Sequence, residues 1–235
     1  MRKAGVFCAA LAAAAAAQAQ ADAPARWIGD LGVGVERTQA SAPGASARTW
    51  ALPYAYGDFG RWFVREDTLG VKLVPAGWGA LELVGRVSTE GSDSDVPGRA
   101  HRSNPRPVGL GTFQETPWGG LFIDGFIDTN SGGTLLEASY AAELPLGPVT
   151  LYPQAGLARR GARYVDHLVG VPGVYAPGPS TTPVLQLSGE MPIRGHWVLL
   201  AHAQVESFDR AMRDSPRVAT RSRASALVAL AWRFE

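Results

Sequence analysis

The histidines His101, His167, His196 and His202 are the side chains best suited to move a proton near neutral pH. Alternation along Trp197–Glu206 sets His202 on the same face as Gln204 and Glu206. Ser188 and Glu190 on the preceding segment share that parity, so a serine, an imidazole and a carboxylate can meet there. A working nucleophile also needs an oriented base and an oxyanion site, and the sequence supplies no sign of the latter. There is no Gly-rich phosphate loop, HExxH helix or nucleophile elbow. The one cysteine, Cys8, excludes an internal disulfide and a Cys-clustered zinc site. The chain reads as a non-enzyme with no catalytic, cofactor or metal site.

Three other groups of residues carry chemistry of recognition. Asp124, Asp128, Glu137, Glu190, Glu206, Arg86 and Arg233 have the parity of one face. They suit either a network of paired charges in a narrow lumen or the lining of a small selective pore. Arg159, Arg160 and Arg163, then Arg210, Arg213 and Arg217, gather in two polar segments. Guanidinium binds phosphate in a planar, bidentate manner, so these six are candidate contacts to lipopolysaccharide. Trp78, Trp118, Leu146, Arg194 and Trp197 lie at tight turns and are candidate contacts to a periplasmic partner, because aromatic and Arg residues dominate binding hot spots.

These residues need a scaffold, and the hydropathy pattern describes one. Met1–Lys3 is basic, residues 4–17 are apolar, and Ala19-Gln20-Ala21 is a small-x-small cleavage pattern. This predicts a signal peptide over 1–21, with cleavage after Ala19 as the alternative, and a mature chain over 22–235, exported from the cytoplasm. The formal net charge of +1 lacks the basic excess a nucleic-acid partner requires. The mature chain is a series of segments of about ten residues in which apolar and polar side chains alternate. In the last of them Ala224, Ala226, Val228, Leu230, Trp232 and Phe234 share one face, and Arg223 and Arg233 occupy the other.

Twelve such strands are expected, near 26–36, 48–57, 59–66, 67–74, 80–87, 108–116, 121–129, 133–144, 149–159, 182–192, 196–208 and 223–234. Tight turns alternate with connections at 38–47, 88–107, 160–181 and 209–222 that are long, polar or Pro-rich. Glu66-Asp67 and 130–132 stand as short members of that second set. An even number of strands with unequal ends, polar inside and apolar outside, predicts a transmembrane antiparallel β-barrel with both termini periplasmic. A dry soluble barrel would need the inverse arrangement. On this topology the outer rim holds fourteen arginines against ten carboxylates, and the rest of the mature chain is net acidic.

The sequence then resembles the MltA-interacting protein/OmpV family of Gram-negative outer-membrane proteins. The likeness is carried by Trp27–Gly34, Leu52–Gly57, Pro145-Leu146-Gly147, Tyr164–Val171, Ser215-Pro216 and the closing Trp232-Arg233-Phe234. Here Glu235 follows the terminal aromatic, a departure from the pattern. The resemblance implies an outer-membrane scaffold that brings a lytic transglycosylase and a penicillin-binding synthase together in murein synthesis. Porin-like and adhesion roles are the alternatives within the family.

Overall fold

The computed structural model describes residues 26–91 and 102–235, so the expected signal peptide lies outside the described residues. The elements are β1 (Trp27–Thr38), β2 (Arg48–Phe59), β3 (Trp62–Arg65), β4 (Thr68–Ala76), β5 (Gly79–Arg86), β6 (Pro107–Thr116), β7 (Gly119–Asp128), β8 (Thr134–Ala142), β9 (Leu144–Leu146), β10 (Val149–Arg160), α1 (Ala162–Val169), β11 (Ser180–Arg194), β12 (Trp197–Ser207), α2 (Arg210–Arg213) and β13 (Ser222–Phe234). The short β9 continues β8 beyond Glu143, and both pair with β10. Thirteen strands therefore make twelve staves, the expected number. Every neighbouring pair is antiparallel, and β13 pairs with β1 from Gly29↔Phe234 to Thr38↔Ser225. The sheet closes on itself.

Closure turns the alternation into an inside and an outside. Val33, Leu185, Ile127, Leu157 and Val228 face outward from five different staves, each more than half exposed. An apolar girdle continuing round the whole barrel exceeds the patches that water tolerates on a monomer and has the form of a lipid-facing band. The inner face carries the charges, together with two apolar clusters. The larger joins Phe63, Val84, Phe126, Leu135 and Ala158 to residues of α1 and α2. The smaller, Tyr54, Leu227, Ala229 and Ala231, lies inside the β13–β1–β2 wall.

Two expectations require correction. The third stave is shorter than predicted, because a two-residue turn at Glu66-Asp67 ends β3 at Arg65, with Glu66 in the left-handed region (φ 54°). Beyond Tyr56↔Arg65, β2 has no ladder pairing with β3, and its strand partner there among the described residues is β1. Glu66 N donates to Ala55 O, so Pro53, two residues along, directs its backbone toward the same vacant side. A proline there has no N–H to strand, which is how sheet edges are commonly protected.

The second correction concerns the segments at 160–181 and 209–222, which carry helices. In α1, Tyr164, Val165, Leu168 and Val169 are buried. Their i, i+1, i+4, i+5 spacing is one helical face. Asp209 caps α2, accepting from Met212 N.

Candidate functional site

Three polar clusters stand along the lumen. At the tight-turn end, Arg233 donates to both carboxylate oxygens of Asp30 at 2.8 Å and to Glu190 at 2.7 Å. This ties β13 to β1 across the closing seam. At mid-height Arg86 bonds Glu137, lies 4.0 Å from Asp124, and rests over the Phe126 ring. At the opposite end Arg160 and Arg223 face Glu90 and Glu206, making four ion pairs. The inward charges are thus mostly paired. Asp128 is the exception, fully buried but holding the 128–132 turn through bonds from Arg106 N and Ser131 N.

The end bearing the long connections is capped. Helix α1 sets Tyr164, Val165, Leu168 and Val169 against the lumen-facing Phe126, Leu135 and Ala158, with Phe208 and Met212 completing the contact. It lies close over the rim at Gly133, where a Cβ would meet the Tyr164 backbone at 2.3 Å. The Tyr164 hydroxyl donates to Glu90 at 2.9 Å, and Glu90 also accepts from Arg160 at 2.8 Å and Arg223 at 3.0 Å. One carboxylate therefore fastens the cap helix and the described residues 88–91 to two staves. Burial would raise the pKa of Glu90, but the two guanidiniums prevail and hold it well below the usual carboxylate range.

Ser188 and His202 do meet, as parity predicts, with Ser188 Oγ 3.1 Å from His202 Nδ1. Glu66 Oε1 approaches the same nitrogen at 3.6 Å. In a relay the serine and the carboxylate address opposite ring nitrogens. Here both lie on Nδ1, so the trio is a lumen contact without the geometry of a nucleophile.

The five candidate contact residues all lie at the tight-turn end. Trp78, Trp118 and Leu146 project from three successive hairpins and are 58–76% exposed. Arg194 and Trp197 flank the β11–β12 turn, where Trp197 meets Trp232 edge-on at 5.3 Å. The structure brings Trp78 and Trp118 onto neighbouring hairpins and sets Trp197 on a separate one.

The candidate lipopolysaccharide contacts divide. Arg159, Arg163, Arg210 and Arg213 are exposed at the capped end, and Arg217 is half-buried there. Arg160 is 3% exposed and points into the lumen, so it is withdrawn from that set. Its position was legible, since Gln154, Gly156 and Ala158 share its inward parity. The residues that sequence reasoning missed are Glu90 and Tyr164. Tyr164 was signalled by the helical spacing of its segment, whereas nothing local marks Glu90.

A cavity of about 390 Å³ opens at the tight-turn end, lined by Tyr56, Asp58, Arg65, Lys72, Trp78 and Glu115 among others. Arg65 is fixed in its wall by two 2.9 Å bonds to Glu82 and by the faces of Phe63 and Phe113.

Comparison with known proteins agrees with this architecture. The chain is 22% identical over 224 residues to the Escherichia coli K12 protein named "Putative outer membrane protein YiaT", covering 87% of this chain and 90% of that one. The protein of the same name from E. coli O157:H7 matches to the same extent. The family model described as MltA-interacting protein MipA matches residues 31–234, from the first stave to the last. The chain belongs to the MltA-interacting protein MipA family.

Proposed function

We propose that this barrel spans the outer membrane of a Gram-negative bacterium, with its termini and tight turns in the periplasm, and serves there as a docking scaffold for a lytic transglycosylase. The observation that carries this reading is the inequality of the two ends. One end is occupied by the chain's own cap, α1, latched through Glu90. The other presents Trp78, Trp118, Leu146, Arg194 and Trp197 to solvent. The apolar girdle supports membrane insertion, and the name of the YiaT relatives supports the outer membrane as its place. The family's name supports a partner of the MltA type. A penicillin-binding synthase is the second partner in this reading, held at the same end so that murein cleavage and synthesis stay adjacent.

The cap also weighs against a porin-like channel, which needs a continuous water column. At the capped end, Arg159, Arg163, Arg210, Arg213 and Arg217 are the residues proposed to hold lipopolysaccharide phosphates.

The test is capture of a purified MltA-type lytic transglycosylase by the immobilised barrel. Trp78→Ala combined with Trp118→Ala is expected to weaken capture at least tenfold while the barrel keeps its folded mobility on unheated gels. Capture unchanged in this variant, or none by the parent barrel, would defeat the scaffold reading.

A further inference from the structure

The geometry points to the cavity at the tight-turn end as a binding site for a mono- or disaccharide. This goes beyond the scaffold reading and depends on neither a protein partner nor the direction of insertion.

The turn that carries the wall is held by hydrogen bonds to its main chain. Trp78 is 65% exposed, yet its turn is clamped: Gln114 Oε1 accepts from Trp78 N at 2.8 Å, and Gln114 Nε2 donates to Ala76 O at 2.9 Å. Glu115 N donates to Trp78 O at 3.4 Å. Gly77 turns the chain at φ 60°, which L side chains rarely adopt. A long amide spent on fixing the main chain of this turn sets where the Trp78 side chain leaves the wall, which lowers part of the entropic cost of binding.

Opposite polar functions stand beside that wall. Arg65 has five N–H donors, of which Glu82 takes two. Lys72 has three, of which Asp58 takes one at 2.9 Å. Their remaining donors show no partner among the described residues. Asp58 supplies acceptor oxygens, and Glu115 adds a carboxylate with no ion pair among the described residues. The lining holds Arg65 and Lys72 against Asp58, Glu82 and Glu115, so four of its five charges are already neutralised in pairs.

These features select among ligand classes. An anion would meet the unpaired Glu115. An apolar ligand would cover charged donors and acceptors and forfeit their hydration. A saccharide satisfies both demands, because each hydroxyl donates and accepts, and its C–H face suits the electron-rich face of an indole. The volume lies near the lower end of the range for small-molecule sites, which fits one or two rings.

The test is a ligand-observed NMR titration of the full barrel in a polyoxyethylene detergent, which carries no sugar headgroup. The probes are N,N′-diacetylchitobiose, maltose and tetramethylammonium. Saturable binding of at least one saccharide is expected, weakened tenfold or more by Trp78→Ala and several-fold by Glu115→Gln. Trp118→Ala, on the neighbouring hairpin outside the cavity, should leave it unchanged. Absence of binding by both sugars to the folded barrel would overturn the proposal. So would saccharide binding indifferent to Trp78→Ala, or tetramethylammonium bound more tightly than either sugar.

Discussion

Replacing Glu90 with Gln tests the latch with little change of shape, since the amide oxygen can still accept from Tyr164. What it removes is a charge. Arg160 and Arg223 would then face Glu206 alone, leaving one guanidinium charge uncompensated in a cluster where Arg160 is 4% and Glu206 2% exposed at the side chain. Breaking a buried ion pair by removing one partner costs about 3 kcal/mol. If that penalty falls on the closed cap, the open population rises about 100-fold. Hydrogen exchange by mass spectrometry over residues 161–170 should therefore accelerate by about that factor, while strand peptides around Val228 keep their protection. The native pKa of Glu90 is depressed, so its contribution is fully present above the unfolded carboxylate pKa of about 4.3. It declines as the pH falls below that value toward the native pKa. The protection factor of the parent protein, with the intrinsic pH dependence of exchange divided out, should accordingly show no Glu90-linked change between pH 5 and 8 and should fall in acid. Unaltered exchange in Glu90→Gln would refute the latch, and so would a uniform rise across all strands.

Arg233→Gln should lower the barrel's unfolding free energy by about 2 kcal/mol, the worth of charged hydrogen bonds lost at the β13–β1 seam. Urea unfolding measures it, and an unchanged midpoint would deny the seam its role. Changing Arg159, Arg163, Arg210 and Arg213 together to Gln should reduce lipopolysaccharide co-purification, with little loss of stability in neutral detergent. Equal loss in both environments would mean that these arginines serve the connections rather than lipid.

The staves were legible because period-2 alternation is enforced residue by residue once one face is the apolar outside of a closed barrel and the other lines a polar lumen. Val228 and Arg233 declare their sides without tertiary information, and the twelve-stave count follows. Connections carry no such constraint. Glu66-Asp67 reads as a turn, but how far β3 rises depends on its register with β2, which is set by long-range pairing. The cap was hidden for a different reason. Tyr164, Val165, Leu168 and Val169 form a helical face, but the segment is eight residues long and stands among prolines and glycines. Such a short helix is held by tertiary contact rather than by propensity. Glu90 has no local signal, because its role arises from Arg160 and Arg223, distant in sequence. The candidate contact residues Trp78 and Trp118 were legible as turn aromatics, whereas the cavity beside Trp78 depends on the arrangement of three hairpins.

A lumen closed by the chain's own cap helix and paired charges should pass no ions, leaving the turn end to bind. Conductance of the purified protein in planar bilayers tests the seal most directly. The parent barrel should insert without producing channel steps, and Glu90→Gln should produce brief, infrequent openings. Stable, reproducible steps from the parent protein would contradict the account.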